Sequence, residues 1–367
     1  MDRIWAQCQK ELAQFQRDRL AAALAFLLPV MTLLIFGFAV RLEIKDVPLV
    51  VMDYEHSPLS RSYIEQVFAT NQFQPVQVGN RAPIEAIDRG LAKAAIIIPS
   101  TFSRDVQAGR MGEIQVVLDG TDVNNARVIQ NTIRAVTQSF VARTNPASAV
   151  ARVVAQVRIW FNPGRREVLY IVPGVYAVVL FTYPAVLAAM AFVRERDQGT
   201  FVQVCASDLG AAEFLLGKCL AYFIVGVGQA ALLMGIGAGL FGVWLVGSPI
   251  PLLVGTVLYL IGSILFGLLM GVRAKRAIAA IQNVMNTGFL SAVWLSGFIY
   301  PVENIPFPLS LASRTVAARY YIELTRDAFL VGAGWSRVWM ALLILLLING
   351  ILFFLAWKRL RHMQLEE

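Results

Sequence analysis

The chain has 367 residues, 57% of them hydrophobic and only 15% charged, with a mean hydropathy of +0.62 and a net charge of +8. A soluble domain carries roughly 25% charged residues, so the composition excludes a purely soluble protein. Outside the long segment 41–167, which is exempt from the count, the basic residues fall in short stretches beside apolar runs, where they report membrane topology and not a nucleic-acid partner.

Residues 1–19 read as an amphipathic cytoplasmic helix. Ile4, Trp5, Cys8, Leu12 and Phe15 fall on one face, and Lys10, Glu11, Gln14 and Arg17 lie off it. Such a helix lies in the interface with its apolar face in the headgroup boundary; the alternative is a plain cap on the first span. Six runs free of Asp, Glu, Lys, Arg and His are each long enough to cross a bilayer, which takes about 20 helical residues. They are 20–40, 168–193, 219–246, 249–272, 277–300 and 338–357. The first is too long for a signal-peptide core, and no small-residue cleavage site follows it.

Segment 41–167 reads as an α/β domain between spans one and two. Strands are predicted at 47–53, 73–78, 94–99 and 113–119, with a further strand at 157–161. Helices are predicted from Ser57-Pro58, an N-cap followed by proline, and over 84–89, 101–108 and 124–143. Alternating strands and helices favour a parallel or mixed sheet. The segment contains no cysteine, so its own core must hold it. His56, its only histidine, sits near Asp53 and Glu55 in what reads as a solvated turn, with too few ligands for a metal.

Lys and Arg in the short loops set the orientation. Arg3, Lys10, Arg17 and Arg19 precede span one; Arg194, Arg196 and Lys218 follow span two; Arg273, Lys275 and Arg276 follow span four; Lys358, Arg359 and Arg361 end the chain. The opposite side has none at Gly247-Ser248 and has Arg314, Arg319, Arg326 and Arg337 after span five. Both termini are therefore expected in the cytoplasm, with 41–167 outside. Residues 301–337 are expected to form short helices in the outer leaflet, with Phe307, Tyr320, Tyr321, Phe329 and Trp335 at the interface. Residues 358–367 form a cytoplasmic tail.

The spans carry no ionisable group to couple an ion or proton gradient, which disfavours secondary transport. No carbonyl filter or charged ring marks a channel. The stretch Ala212 to Cys219 mimics a phosphate loop but lacks its first Gly and its Ser/Thr, so no ATPase or other catalytic site is encoded. Energy for any transport must come from a partner, and the charged stretch 194–218, too long for a simple connection, is the place to receive it. Within the membrane, Asn283, Thr287 and Ser291 recur at i, i+4 and i+8 beside Asn286. Span two carries Tyr176, Thr182 and Tyr183 together with Pro173 and Pro184. These residues are packing glue or a substrate path, and both hold if the path follows a subunit interface.

Five stretches in this order, KELAQFQRD, WFNPGRREVLYIVPG, RERDQGTF with EFLLGK, LSGFIYPVENIP and ARYYIELTRDAFLVGAG, resemble the permease subunit of ABC-2-type ABC transporters. The branch resembled is the bacterial multidrug-efflux-like exporters with a large external domain. The resemblance implies a polytopic α-helical protein of six transmembrane helices with an α/β extracytoplasmic domain inserted between helices 1 and 2, in the bacterial inner membrane. It implies pairing with a second permease copy or paralogue, two cytoplasmic ABC ATPase subunits that hold the ATP and Mg²⁺, and no cofactor or metal on this chain. The branch also implies a periplasmic adaptor and an outer-membrane channel. Residues 194–218 then contain a coupling helix for the ATPase. Arg194, Glu195, Gly199, Thr200, Glu213 and Lys218 match the family pattern, with Arg196 beside them, while Val202 stands where Glu is frequent and Asp208 where Pro is frequent. The implied function is export of hydrophobic or amphipathic compounds such as drugs. The other readings are a glycan or lipid-linked exporter of the same class and a membrane-anchored sensor or scaffold.

Overall fold

The computed structural model describes residues 2–39, 46–76, 83–108, 110, 112–119, 123–144, 166–199 and 210–366. The chain divides into two compact units, Arg41–Arg158 and a second built from Met1–Val40 with Ile159–Glu367.

The inserted unit is a four-stranded mixed sheet in the order β2-β1-β3-β4. The strands are β1 (Val47–Asp53), β2 (Phe73–Pro75), β3 (Ala94–Ile98) and β4 (Gln115–Leu118). β1 runs parallel to β2 and β3, and β4 is antiparallel to β3. The helices are α3 (Pro58–Phe68), α4 (Pro83–Asp88), α5 (Phe102–Gln107) and α6 (Val123–Thr144). Ile129, Ile133, Val136 and Phe140 of α6 join the core beside Tyr63 and Phe102, while Val128 faces out. The strand expected at 157–161 lies outside the described residues.

The turn after β1 is a built structure. Asp53 Oδ1 accepts from the amides of Glu55 and His56, and Asp53 Oδ2 accepts from Ser60 Oγ at 2.6 Å. Burial works against the ionised Asp53, yet these bonds outweigh it and hold the carboxyl below its usual range. Glu55 accepts from the Ser103 amide at 2.7 Å and from the hydroxyls of Ser57 and Ser103. The two carboxylates are thus engaged in holding the starts of α3 and α5, and His56 is exposed.

The other unit is helical: α1 (Asp2–Arg17), α2 (Arg19–Ala39), α7 (Val168–Asp197), α8 (Ala211–Phe241), α9 (Pro249–Arg273), α10 (Ala277–Val284), α11 (Leu290–Trp294), α12 (Leu309–Ser313), α13 (Ala317–Arg326) and α14 (Trp335–Glu366). Five of the described helices, α2, α7, α8, α9 and α14, are long and apolar enough to span a membrane. The run expected as span five is helical from Ala277 to Trp294 but passes through a π-turn at Met285–Phe289, and bends follow over 295–300. Its hydroxyls explain the irregularity. Thr287 Oγ1 donates to the Asn283 carbonyl and Ser291 Oγ to that of Thr287, each at 2.5 Å, so side chains compete for the helix's own acceptors.

α7 is the pillar. It is buried almost continuously from Ile171 to Thr182, whereas α2 and α14 present many exposed apolar residues. Its closest neighbour is α9, and the contact repeats every four residues on both helices. Tyr259 Oη donates to Ala177 O at 2.6 Å and Ser263 Oγ to Phe181 O at 2.5 Å. A Cβ on Gly267 would lie 2.1 Å from Ala185 O, and one on Gly271 would lie 2.7 Å from Ala189 O. Small residues allow this backbone approach, the usual means of packing spans tightly. The close steric fit makes α7 and α9 one body.

α13 departs from the interfacial reading of its aromatic residues. Tyr320, Tyr321 and Phe329 are buried within the bundle; Tyr321 stacks on Tyr259 with ring centres 4.0 Å apart and bonds Thr256 at 2.8 Å. Phe307 and Trp335 remain exposed, at 83% and 48%. The strong amphipathicity of α13 accounts for this, because its apolar side turns inward and Arg319 and Glu323 stay on the other.

Gly267→Val is expected to lower stability by about 1–3 kcal/mol through overpacking, read as a reduced melting temperature in nanodiscs. Gly350→Ala, where a Cβ meets nothing within 4 Å, should leave it unchanged or raised. Equal melting of the two variants would contradict the interlock.

Candidate functional site

The helices flanking 194–218, the stretch expected to couple to an ATPase, extend into it. α7 continues through Arg194–Asp197 and α8 already begins at Ala211, so only the middle of 194–218 lies between helices. α7 ends at Gly199, in the left-handed region at φ +69°, with the amides of Gln198 and Gly199 bonded to Arg194 O and Arg196 O. That backbone favours glycine. At the other end Glu213 Oε2 accepts from the Gly210 amide at 3.0 Å, securing the start of α8. Thr200, Val202 and Asp208 lie outside the described residues.

Lys218 sits one helical stretch inside α8 and has no exposed side-chain surface. A buried ammonium demands partners. Its Nζ lies 2.5 Å from Glu11 Oε1 on α1 and 3.0 Å from Glu195 Oε2 on α7, both carboxylates being 2% exposed. Lys10 closes the set at 2.5 Å from Glu195 Oε1. Gln7 and Tyr222 donate to Glu11 at 3.1 and 3.2 Å. Two positive and two negative groups therefore join α1, α7 and α8 in a single balanced cluster. Burial pushes the Glu11 carboxyl above its usual range and Glu195 adds to the rise, while the Lys218 ammonium pulls it back.

Further contacts tie the same region together. Arg194 Nη2 lies 3.3 Å from Asp18 Oδ2, Arg3 lies 3.9 Å from Glu213, and Arg196 donates to Ala274 O at the end of α9. α1 can approach α8 closely because position 217 is glycine; a Cβ there would lie 2.7 Å from Gln7 Cβ. Gln7, Cys8 and Glu11 form the buried face of α1, whereas Trp5 is 52% exposed. The structure thus brings Glu195 and Lys218 together, sets Arg194, Arg196, Gly199 and Glu213 around them, and adds Lys10, Glu11, Asp18 and Tyr222, to which sequence reasoning assigned no role. The signal for Lys10, Glu11 and Asp18 was the KELAQFQRD stretch; Tyr222 carried none. Lys218, which gave the false phosphate-loop match, is committed to this cluster.

The membrane polar residues are more scattered. Thr182 Oγ1 donates to Val178 O, and the hydroxyl of Tyr183 pairs with that of Thr32 on α2 at 2.7 Å. Tyr176 is fully buried against Gly237, its hydroxyl without a partner. Asn286 and Thr287 are exposed, and Asn283 and Ser291 are half-buried. Among the described residues no group of three His, Cys, Asp or Glu side chains could hold a metal.

The chain is similar to the probable multidrug ABC transporter permease YbhS of Escherichia coli (strain K12), 25% identical over 375 residues that cover 98% of this chain and 97% of the relative. It is likewise similar to the probable multidrug ABC transporter permease YbhR (25%, covering 95% of each chain) and the inner membrane transport permease YhhJ (28%, covering 90% and 92%) of the same organism.

Lys218→Met should destabilise the protein by about 3–5 kcal/mol, because it leaves the buried Glu11 carboxylate without a cation and Glu195 with Lys10 alone. Glu11→Gln should cost less, since burial already disfavours its ionised form, and adding it to Lys218→Met should recover part of the loss. Thermal unfolding in nanodiscs reads all three; a wild-type melting temperature for Lys218→Met would refute the cluster's role. Residues 21–358 match the family described as ABC-2 family transporter protein, and the chain belongs to that family.

Proposed function

We propose that this chain is the permease subunit of an ATP-driven exporter in the bacterial inner membrane, with both termini cytoplasmic and the 41–167 domain outside. The five long apolar helices and the irregular 277–300 run serve as six spans. A second copy or paralogue completes the path, and two cytoplasmic ABC ATPases supply the work. The names of the relatives support hydrophobic or amphipathic compounds such as drugs as cargo. A periplasmic adaptor and an outer-membrane channel complete the export route.

The observation that carries this reading is the ion cluster at the two ends of the coupling segment. The membrane runs bring no charge of their own to drive transport. The stretch 200–209 instead joins α7 to α8 in sequence, and those two helices are bound to each other and to α1 by Lys218, Glu195, Glu11 and Lys10. A short segment docked in an ATPase groove would therefore push one charged block and not a loose loop. Arg196, bonded to Ala274 at the end of α9, passes that push to the α7–α9 body. The path lies along α7 and the exposed Asn286–Thr287 face of the 277–294 run, which a second permease would cover.

Two results test this. The full chain should co-purify with an ABC ATPase. Replacing 201–208 by alanine, or Gly199 by Val, should lower ATP-dependent export and substrate-stimulated ATP hydrolysis by about 10-fold or more, a coupling loss in the usual allosteric range. Full export by the alanine variant would sink the docking role, and a chain that never binds an ATPase would sink the exporter reading.

A further inference from the structure

Arg326 ends α13, and among the described residues its charge has no counter-ion. The guanidinium lies over the Tyr170 ring, 3.7 Å from the ring centre, and Nη2 donates a long 3.4 Å bond to Phe298 O. Its Nε is buried and unbonded. The neighbouring acid is already engaged, because the Asp327 carboxylate accepts from the amides of Ala333 and Gly334. Arg319, seven residues earlier and so on the same side of the helix, has its Nη1 3.2 Å from Ser313 Oγ and a buried Nε without a hydrogen bond, but the Glu323 carboxylate one turn on offsets its charge. Glu323 between them is exposed. Glu167, one turn before Tyr170 on α7, keeps a buried Oε1 unbonded and makes no ion pair with Arg326 among the described residues.

A guanidinium withdrawn from water without an anion is costly, and a cation–π contact with one carbonyl bond satisfies few of its five donors. The missing partner is an oxyanion. The surroundings also suit an apolar body: Tyr170 below, the Phe298 ring filling the space beside Gly174, and Phe36 edge-on to Phe298 with ring centres 5.6 Å apart. We propose that Arg326, with Arg319 along the same helix side, recognises the carboxylate, sulfonate or phosphate head of an amphipathic molecule. The site lies where α7 begins and where the 277–294 run has just ended, at one end of the proposed path. The proposal deepens the permease reading by assigning it an anionic substrate class. The same head chemistry occurs on transported solutes and on anionic phospholipids.

The test uses direct binding, so it needs neither the ATPase nor transport. The purified full chain in phosphatidylcholine nanodiscs is titrated with dansylamino-undecanoic acid and with a dansyl-undecyl-trimethylammonium probe of matched length. Arg326→Gln should weaken the carboxylate probe about tenfold, the loss of one charge-assisted contact, and leave the ammonium probe unchanged. Arg326→Lys, which keeps charge but loses the fork, should weaken it about threefold. It becomes the deciding variant if the Gln protein does not fold. Phosphatidylglycerol added to the discs should displace the carboxylate probe from the wild type only if a lipid headgroup is the occupant; without displacement, a solute is. Equal carboxylate binding by wild type and the folded variants, or preference of the wild type for the ammonium probe, overturns the proposal. Carboxylate selectivity in a chain that binds no ATPase would leave this site standing and remove the exporter reading instead.

Discussion

A lysine with no access to water must be paired, and Lys218 can be paired only by residues from elsewhere in the chain. Its partners stand on α1 and on the far end of α7, which fixes the positions of three helices at once. Everything at this end of the bundle follows from that constraint. Gly217 lets α1 lie close enough for Glu11 to reach, Lys10 balances the second carboxylate, and Asp18 engages Arg194. A buried ion cluster is weak grounds for claiming stability, since apolar residues of the same volume do as well. What it supplies is a unique arrangement, because losing any one member leaves an opposite charge stranded.

That arrangement gives a route for force. The ends of the proposed coupling segment are parts of a braced block, and the block contains the end of the central helix α7. Through Tyr259, Ser263, Gly267 and Gly271, α9 is fitted against α7 so closely that neither slides without the other. Helix irregularity is placed elsewhere, at the π-turn of the 277–294 run, a kind frequent at functional sites. The exposed Asn286 and Thr287 lie within that turn, on the surface where the proposed α7–α9 movement would act.

The apolar runs were legible because bilayer thickness imposes a length that any sequence window detects. The sheet and helices of the inserted unit were legible from alternation and from the Ser57-Pro58 start. The boundaries near Lys218 were not. A charged residue reads locally as loop, and its neutralisation by Glu11, more than 200 residues away in sequence, is invisible to any window. For the same reason Glu11 counted as the outer face of α1, although it is buried. The i, i+4, i+8 spacing of Asn283, Thr287 and Ser291 was visible, but that two of the three spend their hydroxyls on their own helix was not. Of the aromatic residues expected at the interface, Phe307 and Trp335 are exposed, whereas Tyr320 and Tyr321 are buried because α13 packs its apolar side into the bundle.

The central claim is that α1 and the end of α7 travel together when the ATPases act. Spin labels at Gln16 on α1 and Gln198 at the end of α7, read by pulsed dipolar spectroscopy in the assembled complex, test it directly. The account predicts that their separation holds within about 2 Å between nucleotide-free and ATP-bound states while the distance from Gln198 to the second permease changes, the behaviour of a rigid body. A change of about 5 Å or more between Gln16 and Gln198 on ATP binding, a full helical turn, would show that the cluster breaks during the cycle and would contradict the account.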